Sequence, residues 1–203
     1  MKIAVFGATG GTGLQILAQA LRQGHEVTAF ARNPSRLKIE DKNLRVVQGD
    51  VLDPVSVEAA VEAQEAVLCA LGVKTLGKTI VLSEGTKNII QAMNKFGVKR
   101  LVCLSSAGVF GKDTNFLGRL LFMVMRGIRD DKRRQLAELE KSNLDWVLVR
   151  PARMTNGPLT GKYQVDLDRT PGSSISRADV ADFMLKQVSD NRYLRKMPTL
   201  AAS

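Results

Sequence analysis

Lys2 to Phe6 is a short apolar run that stops at a glycine, and Leu14, Leu17, Ala18 and Leu21 then recur at helical spacing until Gly24 ends the repeat. This reads as strand, turn and helix. Glu26 to Ala31 and Leu44 to Gln48 are the next two strands. Asp53 followed by Pro54 supplies an N-cap and a proline at the first helical position, opening a short helix through Val57 and Val61. Ala66 to Leu71 is almost unbroken in its apolar character, the pattern of a central parallel strand buried on both faces. The spacing predicts a helix from about Thr79 to Phe96, with Gly97 behind it. Arg100 to Leu104 and Trp146 to Val149 complete six strands, separated by a basic helix over about Asp131 to Lys141. Ser176-Arg177-Ala178-Asp179 has the form of a capping box before a last helix, expected to close the domain near Ser189.

Strands and helices in alternation call for a parallel sheet with right-handed crossovers, hence an α/β, doubly wound fold with helices on both faces. No Pro-, Gly- or Ser-rich linker divides residues 1–203, and no internal repeat is visible. The expectation is one nucleotide-binding domain, with the segment after Pro151 forming a small substrate-side elaboration.

Composition removes several kinds of chemistry. With one His and two Cys, the chain lacks the ligands for a His/Cys zinc site, a disulfide framework or a His-based triad, and no metal is expected. His25, in a Gly-His-Glu turn, reads as a solvated loop residue. Cys69 and Cys103 lie in apolar strand-like runs and read as buried, reduced thiols. The longest apolar stretches, Ala66 to Leu71 and Leu120 to Met125, are far shorter than the roughly 18 to 20 residues of a membrane span, so no membrane association is expected. The start of the chain shows no signal-peptide pattern, and a cytoplasmic location is the expectation. Thirty Lys plus Arg against twenty Asp plus Glu leave a formal charge of +10, which attracts phosphates, carboxylated small molecules or nucleic acid. One Trp, two Tyr and seven Phe are few stacking groups for a nucleic-acid surface, so nucleic acid is the minority partner.

Gly7-Ala8-Thr9-Gly10-Gly11-Thr12-Gly13 sits between the first strand and first helix, where a dinucleotide pyrophosphate meets backbone N–H groups and the positive helix end. The spacing is G-x-x-G-x-x-G, and its position is what makes it informative. An NAD site of this Rossmann type ends its second strand with an acid about 20 residues beyond the glycine turn. No Asp or Glu occurs from Val27 to Ile39; Arg32, Ser35 and Arg36 stand there instead. Two guanidiniums and a hydroxyl suit a 2′-phosphate, and at about 1.5 to 3 kcal/mol per charge-assisted contact they favour NADPH over NADH by roughly two to four decades.

Asp50-Val51, Leu71-Gly72 and Ser105-Ser106 follow the third, fourth and fifth strands, which places all three pairs along the ligand-binding carboxyl edge. By position, the first pair flanks adenine and the second approaches ribose or pyrophosphate. The serines, with Pro151, Arg153 and Met154, border the nicotinamide. For each, an ordinary turn role competes with a direct contact.

Several features together resemble the atypical short-chain dehydrogenase/reductases, and more closely their biliverdin-IXβ reductase or flavin reductase branch. They are Lys2 to Gly10 with Thr12-Gly13, Arg32 with Ser35-Arg36, Gly49-Asp50-Val51-Leu52, Ser83-Glu84-Gly85, Asp130-Asp131 and Pro158-Leu159-Thr160-Gly161. The resemblance covers nearly the whole chain. It implies NADPH-dependent reduction of flavins (FMN, FAD, riboflavin) and of a biliverdin-type linear tetrapyrrole by a monomer, and it makes Ser106 the match to the family's active-site serine. Lys132 and Arg153 stand where members of the family carry histidines. The Tyr with a Lys four residues on that serves the common short-chain dehydrogenases is absent: Leu167 follows Tyr163 at that distance and Met197 follows Tyr193.

Hydride delivery to an extended π system asks mainly for positioning and positive electrostatics. Ser106 is expected to orient nicotinamide or substrate, with Arg153 and Lys132 stabilising anionic charge or relaying a proton. Arg126 to Arg134 is a basic run, and a solvated helix face competes with a catalytic role for Lys132. Phe110 and the run Phe116 to Met125 offer an apolar wall for a planar anionic substrate, against the alternative of a core helix. Two other classes stand beside the reductase: an NADP(H)-sensing regulator of the NmrA-like kind without turnover, and a nucleic-acid binder.

Overall fold

The structure, a computed structural model, describes residues 1–73, 77–109 and 126–203. Phe110 and the apolar run to Met125 lie outside them.

β1 (Lys2–Phe6), β2 (Glu26–Ala31), β3 (Leu44–Gln48), β4 (Ala66–Cys69), β5 (Arg100–Leu104) and β6 (Asp145–Pro151) form a parallel sheet in the order β3-β2-β1-β4-β5-β6. The strand order reverses between β1 and β4, the junction where open α/β sheets hold ligands at their carboxyl edge. Alternation within β1 explains the layering. Ile3 and Val5 join a core with α1 (Gly11–Arg22), while Ala4 and Phe6 join a second core with α2 (Pro54–Val61), α3 (Val81–Phe96) and α4 (Arg126–Lys141).

The helix ends follow their sequence signals. Asp53 caps α2, its carboxylate accepting from Val55 N and Ser56 N at 3.2 Å each. Gly97, at φ +72°, ends α3 in the left-handed conformation. Ser176 caps α5 (Arg177–Lys186), its hydroxyl accepting from Asp179 N at 2.9 Å. Cys69 and Cys103 are register partners on β4 and β5, free and fully buried. Their mutual hydrogen bond, then burial, pushes the Cys103 thiol well up. His25 is half-buried, and burial lowers its imidazole pKa.

The six expected strands are there, but the last helix does not close the domain. The chain continues to β10 (Thr199–Ala202), which pairs parallel with β6 and antiparallel with β8 (Tyr163–Asp166), extending the sheet to eight strands. β7 (Arg153–Thr155) and β9 (Ser174–Ser176) form a separate two-stranded ribbon. These short strands owe their existence to pairing, and too few residues alternate in each to signal it. The basic helix is also longer than expected, beginning at Arg126.

Candidate active site

β1 stops at Phe6 because the chain turns through Gly7 at φ +77°, a conformation that L side chains rarely adopt. A Cβ at Gly7 would also overlap the carbonyl of Ala70, the residue that follows β4; Ala70 N donates to Phe6 O at 2.9 Å. A Cβ at Gly13 would overlap the Gly7 carbonyl, so this glycine seats α1 on the strand. The other two glycines act differently. Gly10 is the N-cap of α1 and supplies no side-chain cap, and no acid stands in the first turn. The first N–H groups of a helix have no intrahelical acceptors. Gly10 therefore leaves this positive end without a side-chain cap. Thr9 is half-buried; Thr12 is buried, its hydroxyl donating to Met154 Sδ at 3.6 Å.

Beside the cradle, Arg32 follows β2, and Pro34–Arg36 form a single 3₁₀ turn. Asn33 Oδ1 orders this turn by accepting from Ser35 N at 3.2 Å and Ser35 Oγ at 2.6 Å. Arg32, Ser35 and Arg36 are all exposed there. Asp50 is exposed too, its carboxylate accepting from Leu52 N at 3.0 Å. Val51 is buried: a Cβ on Gly85 would stand 2.8 Å from its methyl groups, and Asn88 Nδ2 donates to its carbonyl at 3.0 Å. Leu71 is half-buried, and Gly72 faces open space.

Farther along the edge, Ser105 is buried with no partner for its hydroxyl among the described residues, while Ser106 is half-buried. Lys132 on α4 donates from Nζ to Ser106 Oγ at 3.1 Å. Burial lowers the Lys132 ammonium pKa from 10.5 to about 8. Asp131, one residue earlier, is fully buried and accepts from Leu82 N at 2.9 Å, Ser83 N at 3.2 Å and Ser83 Oγ at 2.5 Å. It caps α3 from a neighbouring helix, which locks the rotation of α4 that carries Lys132 toward Ser106. Pro151 is buried at the end of β6, and Arg153 is exposed. From Arg32 to Pro151 the candidate residues follow successive strands, a row of four strand spacings or about 19 Å.

Residues 7–191 match the family described as NAD(P)H-binding. The chain belongs to this NAD(P)H-binding family. An uncharacterized chloroplastic protein of Arabidopsis thaliana is 32% identical over 198 residues, covering 89% of this chain and 69% of that protein. Two solved structures share the fold. ChuY, an anaerobillin reductase from Escherichia coli O157:H7, aligns with TM-score 0.82 at 23% identity, over 100% of this chain and 97% of that one. A short-chain dehydrogenase/reductase from Veillonella parvula in complex with NADP aligns with TM-score 0.84 at 20% identity, over 98% and 94%. The bare end of α1 and the neighbouring guanidiniums fit what an NAD(P)H-binding family requires: a surface open to phosphate with positive charge beside it.

Three features of this NAD(P)H-binding chain are not apparent in its sequence pattern. Arg177 opens α5, and its side chain lies across Gly11: a Cβ there would stand 2.9 Å from Arg177 Cδ. The Pro158 to Gly161 tract is tied to α5, with Asp179 Oδ1 accepting from Thr160 N and Gly161 N at 2.8 Å each and Oδ2 from Thr160 Oγ1 at 2.9 Å. Lys186 Nζ stands 3.1 Å from the Tyr163 hydroxyl, a Tyr–Lys pair made through space. That pair staples β8 to α5: Tyr163 donates to Asp182 at 2.7 Å, and burial, then this bond, pushes the phenol up to about 12. An acid for neutral pH needs the opposite shift.

Proposed function

We propose that the chain is an NADPH-dependent reductase whose acceptor is a planar, conjugated, anionic molecule, a flavin or a biliverdin-type linear tetrapyrrole. The observation that carries the reading is the Lys132 to Ser106 hydrogen bond on the same sheet edge as the glycine cradle. Gly10, Gly11 and Thr12 would hold the pyrophosphate at the end of α1, and Arg32, Ser35 and Arg36 the 2′-phosphate. Such a dinucleotide, when reduced, supplies hydride.

The chain's own part is proton and charge management. Lys132 keeps a proton on Nζ at neutral pH and, with its pKa near 8, releases it more readily than an exposed lysine. Ser106 Oγ accepts from that ammonium, so its own hydroxyl proton points elsewhere and orients what binds there. Arg153, exposed beyond β6, would meet carboxylate or phosphate groups of the acceptor. A conjugated acceptor spreads incoming charge over several heteroatoms, so one lysine of modest acidity suffices. The resemblance to the biliverdin-IXβ reductase branch and the likeness in fold to ChuY support the acceptor class.

NADPH oxidation followed at 340 nm against FMN and a panel of biliverdin isomers tests the proposal. Turnover with either acceptor class supports it. Tight NADPH binding with no turnover of any acceptor removes it in favour of an NADP(H)-sensing regulator.

A further inference from the structure

Two sources of positive potential meet at Gly11. One is the N-terminus of α1, bare of side-chain cap and acid. The other is the Arg177 guanidinium, whose stem crosses Gly11 so closely that a Cβ there would stand 2.9 Å from Cδ and 3.0 Å from Nε. Arg177 is the first residue of α5, whose own N-terminus is already satisfied by the Ser176 cap and by Asp179 in its first turn. A cation in the first turn of a helix opposes the helix dipole.

The guanidinium is nevertheless fixed. Its Nη1 donates to Asn156 Oδ1 at 2.7 Å and to the Met154 carbonyl at 3.4 Å. Guanidinium has five N–H donors. Among the described residues, none supplies an acceptor to Nε or Nη2, and no carboxylate pairs with the group. An anchored cation with spare donors, set beside the uncapped N-terminus of α1, lacks only its anion.

We propose that Arg177 is a pyrophosphate-binding residue of the dinucleotide site, gripping the phosphates from the side opposite the α1 N–H groups. This rests on the reading of the glycine turn as the dinucleotide cradle. Because the pyrophosphate is common to NADPH and NADH, Arg177 sets affinity for both and selects neither. Arg32 and Arg36, at the far side of the cradle, carry the selection. Its bond to the Met154 carbonyl joins β7, which carries Arg153, to the same cradle.

Titration calorimetry of the full chain with NADPH and with NADH is the test, alongside thermal melts of each variant. Arg177→Ala is expected to weaken both dinucleotides by a similar factor, tenfold or more. The preference between them stays as in the parent, whereas Arg32→Ala erodes the preference itself. Arg177→Gln keeps the stem over Gly11 and removes the charge; it serves should the alanine variant not fold, and the same paired loss is expected. Unchanged affinity in a folded Arg177 variant overturns the proposal, as does a loss confined to NADPH. Binding of neither dinucleotide by the parent chain overturns the cradle reading beneath it, an outcome distinct from the other two.

Discussion

Asp131 of α4 holds Ser83 of α3 twice, accepting from its backbone N–H at 3.2 Å and its hydroxyl at 2.5 Å. With the bond from Leu82 N, one fully buried carboxylate supplies the cap that α3 lacks from its own N-cap residue, Ile80. Asp131→Ala removes the acceptor of Leu82 N, Ser83 N and Ser83 Oγ and the ion-pair partner of Arg134 Nη2, 3.4 Å away, and is expected to cost about 2 to 4 kcal/mol. Urea denaturation measures it; a midpoint equal to the parent's would show that the cap contributes nothing. Asp131→Asn, which keeps one acceptor oxygen, is expected to fall between.

On the proposed reading, Lys132 gives the reaction its pH dependence. Its ammonium titrates near 8, so turnover limited by proton delivery is expected to fall as pH rises through about 8. Lys132→Met is expected to lower kcat about tenfold to a hundredfold and to flatten the profile. A profile that keeps its alkaline limb in the variant assigns the proton to another group. Stability moves the other way. The unfolded chain binds the Lys132 proton more tightly, so the burial penalty is full below pH 8 and is relieved between pH 8 and 10.5.

Arg32 is exposed at the end of β2, where an NAD site carries an acid. Arg32→Ala is expected to weaken NADPH by about tenfold to a hundredfold with little effect on NADH. Calorimetry showing that the parent chain prefers NADH would overturn the 2′-phosphate assignment.

Asp179 is the acid-sensitive joint. Burial pushes its carboxyl up, but donors from Thr160, Gly161 and Ser176 outweigh it and hold the pKa below 3.8. The tie is therefore intact at neutral pH, and its contribution is lost as pH falls below about 4. Asp179→Asn is expected to show a shallower loss of stability between pH 4 and 2, read by thermal melts. Parallel curves for parent and variant would mean that Asp179 is not the joint.

Much of this architecture was legible because local and long-range preferences agree. β1, β2 and β5 occupy the residues that their apolar runs mark, since a parallel strand covered on both faces needs such a run, and β3, at the sheet edge, keeps its expected bounds although Arg45, Val46 and Gln48 are exposed. The glycine turn was legible as a place but not as a division of labour. Only the packed chain shows that Gly7 and Gly13 make room for backbone, that Gly10 leaves the helix end without a side-chain cap and that Gly11 makes room for the Arg177 side chain. Asp131 is visible as half of a pair with Asp130 and as an i,i+3 partner of Arg134, yet the donors it caps, on Leu82 and Ser83, lie 49 and 48 residues away, beyond any local rule. Arg177 reads in sequence as the interior of a capping box. A cation where the helix dipole disfavours one is the unusual feature there, and only the packed chain shows Gly11 lying beneath it. The Lys132 to Ser106 bond had the weakest signal of all, because a basic run ordinarily means a wetted face and only the pitch of α4 turns one member inward.

The two thiols in the sheet turn the molecule into its own gauge of opening. Cys69 and Cys103 are shut between the layers on central strands, so no alkylating reagent reaches either without parting the domain. Labelling by an excess of a small maleimide therefore reports how often the whole sheet comes apart. If NADPH clamps the strand edges from outside, that clock should run slower in its presence, by the factor its affinity sets, before any acceptor has been found.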